Sequence, residues 1–171
     1  DVVHKNGGVF IADEVQPGFA RTGQAFFGFA RHGIVPDMIT MGKPMGNGIP
    51  ISGLAAKEDV LAAFSDKLPY FNTFGGNPVS IAAAQAVLKY IKDENLQEHC
   101  KKAGAALLKA LKEVQERHPE SVGDVRGAGL FLGFEFVKND GNKTPDKDMA
   151  LNVIEMLRDE HILTSVIGHY G

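Results

Sequence analysis

The sequence Gly8-Val-Phe-Ile-Ala-Asp-Glu14 is a short apolar run that ends in two acidic residues. A continuous apolar run of this length predicts a strand that is buried in a parallel sheet. The run Met38-Ile-Thr-Met41 follows the same pattern and is followed by Gly42-Lys43. Ligands of open α/β sheets bind at the carboxyl ends of strands, so Asp13 and Lys43 are candidates for a shared ligand site. Taken by themselves, two such residues more often form a salt bridge or lie at solvated strand ends.

The rest of the sequence predicts helices and strands on both sides of a boundary near Asn95. In the first part, a third parallel strand over residues 51–56 precedes a short helix from Lys57, and Asn77-Pro78 is a typical helix start. The second part is predicted to contain, in order, a helix at 96–118, strands at 121–126 and 130–137, a helix at 148–161 and a strand at 162–166. This order indicates part of an α/β domain over residues 1–94, followed by part of an α+β domain over residues 95–171.

The composition is that of a globular protein without a membrane span. The 171 residues are 44% hydrophobic and 23% charged, and the formal net charge is −3. No apolar run approaches the roughly 18 residues that a membrane span needs, and no basic face indicates a nucleic-acid partner. Cys100 is the only cysteine and the six histidines lack metal-ligand spacing, so no disulfide framework and no metal site are expected. A reducing compartment such as the cytoplasm fits this composition best.

Three further features indicate a bound phosphate or carboxylate group. The stretch Gly42-Lys-Pro-Met-Gly-Asn-Gly48 surrounds its lysine with glycines, which let other groups approach closely. In the segment 72–78, the Thr73 hydroxyl and exposed backbone N–H groups near a helix start favour phosphate, although a plain turn with a helix cap is the commoner use of such a segment. Arg126 lies at a strand end and is able to bind a carboxylate through two hydrogen bonds, or to be a surface charge. The glycines match neither a P-loop nor a dinucleotide fingerprint, so a nucleotide-binding module is disfavoured.

The sequence resembles the class-III, or ω-type, aminotransferases in four stretches that follow the family's order and spacing and cover essentially the whole chain. Ile11–Gly23 is similar to the D-E-V-Q-x-G-F-x-R-T-G signature, and Thr40–Gly48 resembles the stretch that carries the cofactor-binding lysine. Asn72–Pro78 is similar to the phosphate-contacting T-F-G-G-N-P segment, and Val125–Leu130 to the R-G-x-G-L turn. Within the family, the resemblance is greatest to the alanine–glyoxylate aminotransferase 2 branch and the related phospho-lyases.

The resemblance implies pyridoxal 5′-phosphate (PLP) as the cofactor and assigns roles to four residues near the first two strands. Lys43 would hold PLP covalently and then act as general base and acid. Asp13 would keep the pyridinium nitrogen protonated, which makes the ring an electron sink. Val15 would pack against the ring face, and Gln16 would hydrogen-bond the phenolic oxygen.

Two more residues receive roles from the resemblance. Thr73 would reach the PLP phosphate of the partner subunit, because sites of this family form at a homodimer interface. Arg126 would bind the substrate carboxylate. The implied fold is a fold-type I PLP-dependent transferase, with residues 1–94 in its large domain (a mostly parallel sheet with helices) and residues 95–171 in its small α+β domain. Arg21 lies in the first motif, but no role is assigned to it.

The implied activity is transfer of an amino group from an amino acid or amine to a 2-oxo acid. The first alternative is a PLP-dependent phospho-lyase that acts on a phosphorylated amino alcohol, and the second is a truncated domain without catalysis. Residues 1–5 predict the last turn of a helix capped by Gly7, and residues 168–171 stop in a loop, so we expect a piece of a longer chain. We expect the isolated piece to be inactive, because the family's other phosphate-binding loop and its ring-stacking aromatic residue are not in this sequence. A eukaryotic source would make the mitochondrial matrix an alternative location.

Overall fold

The computed structural model describes residues 2–168, except for the side chain of Ala63. These residues form two compact units, of which the first extends to Lys102 and the second begins at Ala103. Both units contain helices and strands, so the chain is mixed α/β. The division into a large-domain part at residues 1–94 and a small-domain part at residues 95–171 stays a prediction.

The first unit contains a three-stranded sheet in the order β1 (Ile11–Asp13), β2 (Met38–Met41) and β3 (Gly53–Ala56). β1 and β2 are parallel, and Asp13 lies opposite Thr40. β3 is antiparallel to β2, so the prediction of three parallel strands was wrong for the third strand. Parallel neighbours need a crossover of a dozen or more residues, usually with a helix. The segment 42–52 has only a single 3₁₀ turn, at Lys43–Gly46, and it returns the chain alongside β2 in the opposite direction.

The prediction that β1 is fully buried was also wrong. Ala12 is buried, whereas Ile11 is 51% exposed and Asp13 is exposed. β1 is an edge strand of this sheet, with β2 as its one neighbour among residues 2–168. Side chains alternate between the two faces of a strand, and only the face that carries Ala12 is covered here.

The described part of the chain contains five α-helices. They are α1 (Val2–Lys5), α2 (Glu58–Ser65), α3 (Pro78–Asp93), α4 (Leu96–Arg117) and α5 (Lys147–Asp159). Gly7 ends α1 with a φ of +72°, while the Gly8 N–H donates to the Val3 carbonyl at 2.9 Å, which is the expected glycine cap. The start of α3 is also as predicted, because the Asn77 side chain accepts a hydrogen bond from the Ser80 N–H at 3.0 Å and Pro78 is the first helical residue.

The second unit contains an antiparallel hairpin of β4 (Val122–Ala128) and β5 (Phe131–Phe136), against which α5 packs. This pair confirms the two strands predicted around the Gly127-Ala-Gly129 bend. The strand predicted at residues 162–166 was wrong, because this segment follows α5 without entering a sheet. Leu163 there is 88% exposed. An apolar run becomes a strand only where a neighbouring edge accepts its backbone hydrogen bonds, and residues 2–168 supply no such edge to it.

Asp37 connects four elements at the start of β2. Its carboxylate accepts hydrogen bonds from His4 Nε2 at 2.6 Å, the Phe10 N–H at 2.8 Å and Lys57 Nζ at 2.8 Å. These donors come from α1, from the residue before β1 and from the residue that caps α2. The Lys57 ammonium, then the Phe10 N–H and His4, hold the pKa of Asp37 far below its ordinary value, while Asp37 raises the pKa of Lys57. Asp37 is therefore a carboxylate on which the alignment of β1, β2 and α2 depends.

Replacing Asp37 with asparagine is expected to lower the thermal midpoint at pH 7 and to flatten its dependence on acid pH. A carboxyl whose pKa is depressed by folding stabilises the native state above its unfolded pKa of about 4, and that contribution is lost as the pH falls below this value. Circular dichroism melts between pH 7 and pH 2 would measure the midpoint. Asp93→Asn is the control, because Asp93 is an exposed carboxylate whose ion-pair partner, Lys89, lies in the same helix. Equal pH profiles for Asp37→Asn and wild type would contradict this role.

Candidate functional site

Asp13 ends β1 with one of its two carboxylate oxygens already engaged. Its Oδ1 accepts the Val15 N–H at 3.1 Å and the Thr40 hydroxyl at 3.1 Å. Its Oδ2 has no partner among residues 2–168, and the side chain is exposed. The carboxylate is therefore held by one oxygen and presents the other as a hydrogen-bond acceptor.

The neighbouring Glu14 points the other way and is 2% exposed. Its Oε2 accepts the Gly28 N–H at 2.7 Å and its Oε1 accepts the Phe29 N–H at 2.8 Å, at the start of the 3₁₀ helix Gly28–His32. A buried carboxylate needs such donors, and two backbone N–H groups at a helix start supply them. Glu14 thus anchors the loop after β1, a role that the sequence reasoning missed. The available signal was the acidic pair itself, because alternation along a strand sends one of two adjacent acids inward.

Lys43 follows β2 as the first residue of the 3₁₀ turn Lys43–Gly46. Its φ is +20°, which is unusual for a residue other than glycine. The side chain is exposed and has no hydrogen-bond or ion-pair partner among the described residues. The salt bridge between Asp13 and Lys43, the simplest alternative to a ligand site, is therefore not formed in residues 2–168.

Val15 links the Asp13 and Lys43 segments. A methyl group built on Gly42 would lie 3.6 Å from Val15 Cγ1 and 3.8 Å from Cγ2, which is ordinary van der Waals contact. Val15 thus lies beside the backbone from which Lys43 projects. The structure brings Asp13, Val15 and the Gly42-Lys43 segment together, while Gln16 is exposed and makes no hydrogen bond with the described residues.

Thr73 lies in the exposed segment before α3, and its hydroxyl has no partner within residues 2–168. The expectation that the glycines after it expose their backbone N–H groups was wrong for Gly75. Its N–H donates to Asn72 Oδ1 at 3.0 Å, and the Phe74 N–H donates to the same oxygen at 3.2 Å. An Asn side chain readily accepts such bonds from N–H groups a few residues on, which removes these groups from the donors open to a phosphate.

Arg126 lies in the second unit on β4, opposite Gly133 of β5. Its Nη1 donates to Asp124 Oδ2 and to Glu135 Oε2, both at 2.7 Å. These two hydrogen bonds raise the pKa of Arg126, and the bond from Arg126 lowers the pKa of Asp124. The side chain remains 61% exposed. A guanidinium has five N–H donors, so the donors on Nε and Nη2 are left to bind a carboxylate. The cluster contains two carboxylates, Asp124 and Glu135, and one guanidinium.

An apolar pocket of about 220 Å³ lies in the first unit. Two of its methionines, Met41 and Met45, flank Lys43 by two residues on either side. The phenylalanine rings that line the pocket pack against one another, and the ring centroids of Phe19 and Phe26 lie 5.4 Å apart. The full lining is Phe19, Phe26, Phe27, Met41, Met45, Ala84 and Leu88. The sequence reasoning missed this pocket, since its residues come from distant parts of the chain.

Two kinds of site are absent from the part of the chain that the structure describes. Residues 2–168 contain no group of three or more His, Cys, Asp or Glu side chains arranged to hold a metal ion. Over the same residues, none of the helices has the length and apolar character required to span a membrane.

Comparison with known proteins shows close relatives with two different activities. The chain is 45% identical over 158 residues to the ethanolamine-phosphate phospho-lyase homolog 1 of Caenorhabditis elegans, a match that covers 91% of this chain and 34% of the relative. It is 44% identical over 171 residues to the mitochondrial alanine–glyoxylate aminotransferase 2 homolog 2 of Arabidopsis thaliana, covering 100% of this chain and 35% of the relative. A solved phospholyase from Arthrobacter in complex with phosphoethanolamine superposes with a TM-score of 0.92 at 40% identity, over 98% of this chain and 39% of that one.

The chain thus spans about a third of the length of the curated relatives that it matches. The match lies along the whole chain rather than in one motif, since the family model described as aminotransferase class-III covers residues 1–169. The fold is that of fold-type I aminotransferases, with mixed α/β elements. By sequence and by fold, this chain belongs to the class-III aminotransferase family, whose members are PLP-dependent enzymes.

Proposed function

We propose that this chain forms part of a PLP-dependent aminotransferase that moves an amino group from an amino acid or amine to a 2-oxo acid. One observation carries the proposal: the Asp13 Oδ2 oxygen and the Lys43 amine lie at the ends of adjacent strands, and neither has a partner within residues 2–168. The two segments lie side by side, since a methyl group built on Gly42 would lie 3.6 Å from Val15 Cγ1. A PLP site requires an acid at the ring nitrogen and an amine at the carbon to which the cofactor is covalently attached.

The residues present fit PLP at the ring and at the reacting carbon. Asp13 Oδ2 is an acceptor without a partner in residues 2–168, and it suits a protonated ring nitrogen. The Lys43 amine has no carboxylate partner among the described residues, so it is available for covalent attachment and for proton transfer. When bound, PLP supplies an electron sink for the negative charge that develops on the substrate carbon. Lys43 would take the proton from the substrate carbon and deliver it to the cofactor carbon that is bonded to the amino nitrogen, which amino transfer requires, while Asp13 would keep the ring nitrogen charged.

The other residues would orient the cofactor and the substrate. Val15 would cover one face of the ring, and Gln16 would donate a hydrogen bond to the phenolic oxygen. Thr73 would donate its hydroxyl to a PLP phosphate, and in the proposed homodimer that phosphate belongs to the site of the partner subunit. Arg126 would use Nε and Nη2 to hold a substrate carboxylate.

The second candidate function is a phospho-lyase that acts on a phosphorylated amino alcohol. The cluster of Arg126, Asp124 and Glu135 supports this candidate. Asp124 and Glu135 already neutralise Arg126 and leave a net charge of about −1 among the three side chains, which weakens attraction for a further carboxylate. Ethanolamine phosphate has no carboxylate, so it would not need this arginine. The similarity to phospho-lyases supports the same candidate.

The test uses the full-length protein that carries this chain, loaded with PLP and assayed for both activities. Transamination would be followed as pyruvate formed from alanine with glyoxylate as acceptor, and lyase activity as inorganic phosphate released from ethanolamine phosphate. Amino transfer without phosphate release supports the proposal, whereas phosphate release without amino transfer replaces it by the second candidate. A protein that shows neither activity and binds no PLP would overturn both. We also propose that residues 1–171 alone are inactive and that the protein acts in the cytoplasm or the mitochondrial matrix.

A further inference from the structure

We propose that Thr40 is a positioning residue that fixes the Asp13 carboxylate for the cofactor ring, an inference that rests on the proposed function. The Thr40 hydroxyl lies 3.1 Å from Asp13 Oδ1. An ionised carboxylate only accepts hydrogen bonds, so the hydroxyl is the donor. Thr40 is therefore the one side chain within residues 2–168 that holds Asp13.

The two donors to Oδ1 differ in what they depend on. The Val15 N–H is a backbone group, and it keeps its place whatever side chain is present at position 40. The hydroxyl is specific to Thr or Ser at position 40. With both bonds formed, the carboxylate is restrained about its side-chain torsions, and Oδ2 points in one direction. With the hydroxyl removed, the hydrogen bond from the Val15 N–H is the one restraint on this exposed side chain within residues 2–168.

The backbone of Thr40 is held independently of its hydroxyl. Thr40 lies opposite Asp13 in the parallel register, and its carbonyl accepts the Glu14 N–H at 2.9 Å. Both flanking positions also pair with β3. Removing the hydroxyl therefore deletes one hydrogen bond to Asp13 and leaves the strand pairing in place. Valine is the matched replacement, because it has nearly the same shape and is a good strand former.

A hydrogen bond from Thr40 matters because the Asp13 carboxylate must be oriented toward the ring nitrogen that it would contact. Removing a partner that orients a metal ligand typically costs 10- to 100-fold in affinity, and an aspartate aimed at a ring nitrogen has the same requirement for direction. We expect Thr40→Val to raise the dissociation constant for PLP about tenfold, at the low end of that range. Thr40→Ser keeps the hydroxyl and is expected to stay within about twofold of wild type by the same reasoning.

The experiment titrates the full-length apoprotein with PLP and follows the absorbance of the bound cofactor at several pH values. The variants are Thr40→Val, Thr40→Ala and Thr40→Ser, with Thr164→Val as a control at an exposed threonine of the second unit. Asp13→Asn and the double variant Asp13→Asn/Thr40→Val complete a double-mutant cycle. Circular dichroism melts verify that each variant is folded. If valine disturbs the sheet, Thr40→Ala replaces Thr40→Val as the variant that lacks the hydroxyl.

The proposal predicts that Thr40→Val weakens PLP binding in the wild-type background but not in the Asp13→Asn background, because the hydroxyl acts only through Asp13. It also predicts that the pH dependence of the bound cofactor's absorbance changes with Thr40→Val and is restored by Thr40→Ser. Unchanged binding in Thr40→Val, loss in Thr40→Ser equal to that in Thr40→Val, or additive losses in the cycle would each overturn it. Wild-type protein that binds no PLP would overturn the proposed function together with this inference, whereas normal binding by Thr40→Val overturns the inference alone.

Discussion

Replacing Lys43 with alanine in the full-length protein is expected to abolish the covalent attachment of PLP and to lower turnover by roughly 10²- to 10⁴-fold, the usual contribution of a positioned acid–base group. The amine is the only group of residue 43 that would react with the cofactor and move the substrate proton. Alanine has the same backbone preferences as lysine, so the φ of +20° at this position adds no new strain. The loss would therefore reflect chemistry and not folding.

Borohydride reduction followed by peptide mass spectrometry measures the attachment. Wild-type protein should carry the reduced cofactor on the peptide that contains residue 43, and Lys43→Ala should carry none. Lys92→Ala is the control, because Lys92 is another exposed lysine without an ion-pair partner within residues 2–168. Cofactor found on a different lysine in wild-type protein would show that the site has been assigned to the wrong residue.

Gly104→Ala is expected to destabilise the second unit by about 2 kcal/mol. Gly104 is buried in α4, and a methyl group built there would lie under 3.0 Å from the oxygen, carbonyl carbon and Cα of Gly129. These are backbone atoms of the turn between β4 and β5, so they are unable to move aside as a flexible side chain would. Overpacking costs about 1–3 kcal/mol, and contacts this short with backbone atoms correspond to the upper end of that range. Alanine gains roughly 1 kcal/mol over glycine inside a helix, which leaves a net loss of about 2 kcal/mol.

Gly133→Ala is the matched control for this change. A methyl group at Gly133 would have its nearest neighbour, Arg126 Cγ, at 3.7 Å, which is an ordinary contact, so its effect should stay below about 1 kcal/mol. Urea unfolding followed by circular dichroism gives both values. Equal unfolding free energies for Gly104→Ala and wild type would contradict the close approach of α4 to the turn. In the full-length protein, the role proposed for Arg126 predicts that Gly104→Ala also raises KM for substrates with a carboxylate, since the displaced turn follows the strand that carries Arg126.

These two predictions depend on different kinds of information. Lys43 stands out in the sequence because glycines surround it after an apolar run. Gly104 does not stand out at all, since it lies in an otherwise ordinary helix between Ala103 and Ala105. Its importance comes from a turn some 25 residues later, which only the packed structure brings against it.

The sequence by itself determined the elements with local signals. The cap at Gly7, the helix start at Asn77-Pro78 and the hairpin around Gly127-Ala-Gly129 were all predicted, because a cap or a tight turn is specified by residues only a few positions apart. The motifs also determined the family, which the similarity along residues 1–169 confirms. The roles of Lys43, Asp13, Val15, Gln16, Thr73 and Arg126 remain predictions.

Only the tertiary structure decided which groups are engaged and which are free. In the folded chain β3 is antiparallel to β2, and residues 162–166 lie outside any sheet among the described residues. Arg126 donates hydrogen bonds to Asp124 and Glu135. The tertiary structure also buried Glu14 while leaving one oxygen of Asp13 without a partner in residues 2–168. Strand pairing and the choice of a hydrogen-bond partner depend on residues far apart in the chain, and the free energy of each contact exists only once the fold has brought its two groups together.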